Sequence, residues 1–150
     1  MDKILRNEVI KTDFIISMGP ACRQAHYLRK HNLRHVVNPL DWMMGYSLDS
    51  AIHWFKNDFD DFFLEIEENK QNENTAVGYR WIIDKYSETV SIHHFPIDRD
   101  LTSIHEKFLK IMKKRSKRMI KIIKKSNNIL FISNRNQPKE DFYKFLREFK

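Results

Sequence analysis

The one cysteine of the chain, Cys22, lies just after a proline-containing turn and near the predicted start of a helix. The free N–H groups of a helix N-terminus, together with the neighbouring Arg23, favour the thiolate, which is the nucleophilic form of cysteine. Such a position can lower the pKa of the thiol, but from position alone the favoured interpretation is an inert buried thiol, which is the commoner role of a free cysteine. His26 lies one helical turn later and could pair with the thiol, but two such groups are too few for a closed zinc site.

Two adjacent histidines, His93 and His94, lie in a segment of alternating apolar residues that predicts a strand over 89–95. Neighbouring residues of a strand point to opposite faces. His94 then shares the core-facing side with Ile92, whereas His93 shares the open side with Ser91. This alternation favours His93 as a general base. A half-buried pair that hydrogen-bonds backbone groups is the alternative interpretation.

A cysteine–histidine site usually contains a third group that orients the imidazole. The candidates are Asp98, Asp100 and Asn134. Asn134 follows a predicted buried strand and completes the order cysteine, histidine, asparagine along the chain. Each candidate also has a plain structural role, because the two aspartates can cap the helix that follows and Asn134 can turn the chain.

The predicted elements that must position these side chains come in the order strand, helix, helical region, strand, helix, strand, helix. This order is typical of an α/β or α+β domain with helices packed on a small sheet. The polar segment 69–75 is predicted to be a surface loop. The main predicted elements are strands over 13–17, 89–95 and 128–133, and helices over 21–31, from Ser47 onward, over 100–125 and over 138–149.

The overall composition limits the classes of protein and of site. The chain has 150 residues, which fits one domain over 1–150, and a formal net charge of +7. One cysteine excludes an intramolecular disulfide framework, and three glycines without a glycine-rich phosphate motif argue against nucleotide loops. We expect no cofactor and no metal. Segment 1–8 is charged and is not a signal peptide, and no stretch is apolar enough to span a membrane, so we expect a soluble, cytoplasmic protein.

The segment from Lys107 to Lys125 carries nearly all of the excess positive charge. A nucleic acid or an anionic surface is therefore a permitted partner, but it is not the favoured one. The charges are not interleaved with aromatic residues, as a stacking platform would require, and a solvated face of an amphipathic helix explains them. The apolar face of this helix is predicted to consist of Ile104, Phe108, Ile111, Met112, Met119, Ile122 and Ile123.

Several short segments stand out together because of their order and spacing. They are residues 14–25 (FIISMGPACRQA), 28–29 and 33–34 (both LR), 38–42 (NPLDW), 92–95 (IHHF), the basic stretch around Arg115 and Arg118, and 129–132 (ILFI). Together they resemble the putative papain-like cysteine peptidase family, whose motifs read roughly I-S-L-G-x-x-C, L-R, L-R, P-F-D-W and H-D-F. The similarity runs from about residue 13 to residue 133.

The resemblance implies a papain-like arrangement with a cysteine nucleophile at Cys22 and a histidine base at His93. His94 stands where the family commonly has an acid, so it doubles the histidines and is kept as a second catalytic candidate. Gly19 lies in the first motif and is expected to support the site.

Asp41 and Trp42 lie in the second motif and are also expected to support the site rather than to perform chemistry. The plain role of Asp41 is that of a turn former that pins Trp42 over the core.

The leading hypothesis is a cysteine-dependent hydrolase, either a peptidase or an acyl transferase, that acts on an unknown peptide or acyl substrate. Backbone N–H groups near Ala21 and Cys22 would stabilise the oxyanion. One alternative is a non-catalytic binding protein with a degenerate site, because the sequence stops soon after the predicted strand over 128–133, where we expect family members to continue. The other alternative is a nucleic-acid binder that uses the basic helix.

Overall fold

The computed structural model of the chain describes residues 9–72 and 77–149. Segment 1–8 and residues 73–75 of the predicted surface loop lie outside the described residues. The described part contains four α-helices and six strands. The helices are α1 (Arg23–Lys30), α2 (Leu48–Lys56), α3 (Leu101–Ile123) and α4 (Lys139–Phe149), and the strands are β1 (Phe14–Ser17), β2 (Met43–Met44), β3 (Ile66–Glu68), β4 (Ile82–Asp84), β5 (Val90–Ser91) and β6 (Ile129–Ile132).

The strands form two sheets of different type. β1 and β6 are parallel, with Ile16 opposite Phe131. β2, β5, β4 and β3 form an antiparallel sheet in that order, with Met43 opposite Ser91. Helices combined with parallel and antiparallel strands confirm the predicted α/β class. The division of the chain into domains, expected to be one over 1–150, stays a prediction.

Aromatic rings fill the core between α2, α3 and the turn that follows α2. The fully buried Trp54 meets Phe62 edge to face, with ring centroids 4.8 Å apart. Phe63 in turn contacts Phe108 of α3 at 5.4 Å. Edge-to-face pairs of this kind stabilise a core beyond the area that they bury. Phe108 also contacts Phe95 at 4.9 Å, so this core packs α3 against the segment that contains the two histidines.

Two helices, α2 and α3, begin with a hydrogen-bonded N-cap residue. The hydroxyl of Ser47 accepts the N–H of Ser50 at 3.0 Å at the start of α2, and Asp100 accepts the N–H of Ser103 at 2.8 Å at the start of α3. Asp100 therefore has the capping role that was one of its two interpretations. Ile111, in contrast, was wrongly assigned to the buried face of α3, since 48% of it is exposed.

The predicted strand over 89–95 is too long, because β5 covers Val90–Ser91 and the chain then bends over 92–94. The bend is closed by a hydrogen bond of 2.8 Å between the Ser91 hydroxyl and Nδ1 of His94. Beyond the bend, Arg80 donates its backbone N–H to the carbonyl of Phe95 at 2.8 Å, so backbone pairing with the segment before β4 resumes. Both histidines consequently lie in a bend and not in a strand.

Candidate active site

Cys22 directly precedes α1 and has helical backbone angles, with φ −71° and ψ −11°. Its thiol is half-buried at the end of the short segment that connects β1 to α1. Burial raises the pKa of the Cys22 thiol, and a hydrogen bond from the residue's own backbone opposes this only in part. The direction of this shift agrees with the interpretation of Cys22 as a buried thiol, because desolvation of the thiolate outweighs its position at the start of the helix.

Gly19 lies against the side chain of Gln24, a buried residue of the first turn of α1. A Cβ atom at Gly19 would lie 1.9 Å from the nearest atom of the Gln24 amide, so any other residue here would displace that amide. With the Gln24 amide assigned in the orientation that suits its neighbours, its nitrogen donates to the carbonyl of Ala21 at 3.0 Å and its oxygen accepts the backbone N–H of Asn134 at 2.8 Å. Gln24 thereby joins the connection before α1 to the segment after β6, and it places Asn134 next to that connection.

Arg135 also contacts the segment that connects β1 to α1. Its Nε donates to the carbonyl of Met18 at 3.2 Å, and its guanidinium lies 4.6 Å from the ring centroid of Tyr46, as in a cation–π contact. Sequence reasoning missed both Arg135 and Gln24 as site residues. Gln24 lies in the motif that contains Cys22, which was a usable signal, whereas Arg135 had none.

Asp41 is the most deeply buried carboxylate beside the candidate site, with 1% of its surface exposed. Its Oδ1 accepts a short hydrogen bond from the Ser17 hydroxyl, and its Oδ2 accepts the backbone N–H of Asn38 at 3.1 Å. Arg34 Nη1 lies 3.8 Å from Oδ2. Burial raises the pKa of Asp41, while Ser17, Asn38, Arg34 and Arg115 oppose the rise. These contacts fix the turn that presents Trp42.

Trp42 connects α1 with His93. Its ring meets the His93 imidazole edge to face, with centroids 5.7 Å apart and planes at 81°. The guanidinium of Arg29, on α1, lies 5.6 Å from the same indole ring. Trp42 thus lies between the imidazole of His93 and Arg29 in the last turn of α1.

The backbone of Trp42 has φ +69°, in the left-handed region that favours glycine. We expect Trp42→Ala to unfold more easily than Trp42→Gly by about 1 kcal/mol, because alanine keeps the Cβ penalty and glycine does not. Urea unfolding of the two variants measures this difference, since both lack the indole contacts. Equal stability of the two variants would show that the backbone conformation relaxes when the ring is removed.

His93 is exposed and His94 is half-buried, which is the order of burial that the sequence pattern predicts. Partial burial lowers the pKa of His93. His94 packs edge to face on Phe108 at 5.4 Å. Ser91 binds His94 instead of sharing a face with His93, so that part of the alternation argument is wrong.

Burial, with smaller contributions from the positive charge of Arg115 and from His93, lowers the pKa of His94 to about 4. The unfolded chain binds a proton at this residue below about pH 6.5, whereas the folded chain does so only near pH 4. The contribution of His94 to stability is therefore complete above pH 6.5 and is lost as the pH falls towards 4. We expect this loss to be about 3 kcal/mol.

The difference in unfolding free energy between wild type and His94→Gln, followed by urea titration from pH 7 to pH 4, isolates this contribution. The wild type should lose its advantage over the variant across that range. A difference that is independent of pH would contradict the low pKa.

The predicted site residues are only partly brought together. In residues 9–72 and 77–149, no hydrogen bond joins the Cys22 thiol to a histidine, and burial alone accounts for the lowered pKa of His93. Asp98 is exposed and lies in a shallow recess beside Gly78 and Pro96. Which group orients His93 stays a prediction, with Asn134 the candidate that lies next to the connection before α1.

In the described segments, no three His, Cys, Asp or Glu side chains are grouped so that they could hold a metal ion. No helix in the same segments has both the length and the apolar character needed to cross a membrane.

An α/β fold with a thiol before the first helix, and a histidine that contacts the same indole ring as Arg29 of that helix, fits the broad class of cysteine hydrolases. A family model described as "Putative papain-like cysteine peptidase" (DUF1796) matches residues 13–147, and the chain belongs to this family. The match confirms the resemblance of the motifs and supports the coarse class, but it identifies no catalytic residue.

A curated relative, an uncharacterized protein of Acanthamoeba polyphaga mimivirus, is 26% identical over 141 residues. The alignment covers 82% of this chain and 62% of the relative, so the chain spans less than two thirds of that protein. No solved structure gives a significant match.

Proposed function

We propose that the protein is a cysteine-dependent hydrolase in which Cys22 is the nucleophile and His93 the general base. The observation that carries the proposal is the position of Trp42, which contacts both His93 and Arg29 of the helix that Cys22 precedes. Membership of the family over 13–147 supports the same class of chemistry.

The protonation states suit a mechanism in which the base acts during the attack. Burial raises the pKa of Cys22 and lowers the pKa of His93, so the resting pair is a neutral thiol and a neutral imidazole. His93 would take the thiol proton as the bond from Sγ to the carbonyl carbon forms, and would then give that proton to the leaving group. Water would hydrolyse the resulting thioester and free the thiol. Backbone N–H groups near Ala21 and Cys22 would hold the oxyanion.

The proposal requires the imidazole to reach the thiol when substrate binds. His93 is exposed and lies in the bend over 92–94, so it is not locked into a strand. Catalytic hydrogen bonds are often long in free enzymes and tighten in the complex with substrate. The Cys22 thiol and the His93 imidazole would act in the same way on a peptide bond and on another acyl bond. We therefore propose acyl transfer to water as the reaction common to both kinds of substrate.

Hydrolysis of p-nitrophenyl acetate tests the role of His93, because attack by a thiol releases a coloured leaving group. We expect His93→Gln to lower kcat/KM by about 100-fold, the usual contribution of a general base. His26→Gln is the matched control, because His26 is an exposed histidine one turn after Cys22, and it should change the rate by less than about twofold. Equal effects of the two changes, or a wild-type rate no higher than that of a small free thiol, would support the non-catalytic alternative.

The nucleic-acid alternative has one supporting feature, a groove of about 610 Å³ along α3 that contains five lysines. Asp58 and Asp60 line the same groove, and Lys113 lies 3.8 Å from Asp60, so part of its charge is paired. The groove is therefore a mixed-charge surface, and we retain hydrolysis as the proposed function.

A further inference from the structure

An acidic recess of about 310 Å³ lies beside the turn that joins β4 to β5, apart from the candidate active site. Three carboxylates and one ammonium group give it a formal charge of −2, although the whole chain carries +7. It therefore differs in sign from most of the protein. The lining residues are Asp61, Leu64, Glu65, Asp84, Lys85 and Tyr86.

Asp84 supplies a buried carboxylate to the lining of this recess. It is 1% exposed, and its Oδ2 accepts the backbone N–H of Ser87 at 3.0 Å. Its Oδ1 is buried and has no hydrogen-bond partner within the part of the chain that the structure describes. A buried acceptor without a partner is unfavourable, and a donor from a bound group would remove that cost.

Asp61 supplies a second, fixed carboxylate at the same recess. Its Oδ2 lies 2.5 Å from Nε2 of His53, and its Oδ1 accepts from the amide of Asn57 at 2.7 Å. Burial works against ionisation of Asp61, but these two hydrogen bonds outweigh it and lower its pKa. Asp61 is therefore a charged, oriented acceptor at neutral pH.

Tyr86 and Leu64 supply apolar surface at the rim. Tyr86 is 61% exposed, and its ring stacks on His53 with centroids 4.4 Å apart. Leu64 is also exposed. The recess thus combines oriented carboxylates with an aromatic face and an aliphatic surface.

We propose that this recess binds the guanidinium group of an arginine. A guanidinium is planar, presents five N–H donors to carboxylates and stacks on aromatic rings, and its methylene stem covers apolar surface. Recognition by hydrogen bonds fits the recess better than metal coordination, because no cluster of three ligating side chains exists in the described segments. The same chemistry is present in free arginine and in an arginine side chain of a peptide.

This proposal goes beyond the proposed hydrolase and does not depend on it. The turn that lines the recess precedes β5, whereas His93 follows it, so the two places lie at opposite ends of that strand. Failure of one proposal therefore leaves the other standing.

Binding is tested by titrating the full chain with N-acetyl-arginine amide, with the peptide acetyl-Gly-Arg-Gly-amide and with its lysine counterpart, using calorimetry and amide NMR shifts. We expect shifts at Lys85 and Tyr86, and at least fivefold tighter binding of arginine than of lysine ligands. Binding of both arginine ligands would show that a single arginine is sufficient. Binding of the peptide alone would show that the partner is a peptide, and either result supports the site. Absence of binding, or equal affinity for lysine, overturns it.

Variants locate the site. Asp61→Asn and Glu65→Gln should each weaken arginine binding at least fivefold, while Glu140→Gln, an exposed carboxyl on α4, should leave it unchanged. Asp84→Asn should abolish binding, and thermal unfolding tests whether that variant folds. If it does not, the first two variants decide the question, because they lie in less buried positions. Equal effects of Glu65→Gln and Glu140→Gln would place the binding elsewhere.

Discussion

Replacing Cys22 with serine is expected to lower kcat/KM for p-nitrophenyl acetate at least about 1000-fold, the scale of loss seen when a catalytic nucleophile is removed. A serine hydroxyl is far harder to deprotonate than a thiol, and the neutral His93 imidazole is too weak a base to compensate. The thiol is half-buried, and serine is of similar size. We therefore expect the free energy of unfolding to change by less than about 1 kcal/mol.

The control for this prediction is a chain with a thiol elsewhere. The double variant Cys22→Ser, Thr102→Cys carries a cysteine at an exposed position near the start of α3. It should stay as inactive as the single variant, because activity depends on the place of the thiol and not on its presence. Recovery of activity in the double variant would mean that any exposed thiol hydrolyses the ester, and it would contradict the role of Cys22.

Replacing Asp41 with alanine is expected to lower the free energy of unfolding by about 4 kcal/mol. The change leaves the Ser17 hydroxyl and the Asn38 N–H without their acceptor inside the protein, and it leaves Arg34 without a counter-charge. Donors stranded in this way are among the largest single causes of destabilisation. Urea unfolding at pH 7 measures the effect.

Asp49→Ala is the matched control, because Asp49 is an exposed aspartate paired with Lys144 at 3.0 Å. A surface pair of this kind contributes at most about 1 kcal/mol. A loss in Asp41→Ala as small as that in Asp49→Ala would mean that the network around Asp41 contributes little to stability.

The sequence predicted the parts of the fold that carry a long or regular pattern. α2, α3, α4, β1 and β6 are present near their predicted positions, because hydrophobic periodicity and N-cap residues are local properties. β2, β3 and β4 were missed because two or three residues are too few for a period. β5 was drawn too long because alternation does not report the hydrogen bond from Ser91 that bends the chain.

The candidate site was less predictable than the fold because its contacts join residues that are distant in sequence. The motif pattern singled out Cys22, but the direction of its pKa shift depends on burial, which the sequence does not specify. The contacts of Trp42 with His93 and Arg29 join three segments that are distant in sequence. The anchoring of Met18 by Arg135 likewise depends on the pairing of β1 with β6, which brings residues 117 positions apart together.

The most direct test of the proposed function is the intact mass of the protein quenched during steady-state turnover of p-nitrophenyl acetate. The account predicts a population that carries one acetyl group on Cys22, sensitive to hydroxylamine as a thioester is. This population should be absent in Cys22→Ser and should form more slowly in His93→Gln. Turnover without any acetylated Cys22, or acetylation that proceeds equally fast in His93→Gln, would contradict the account.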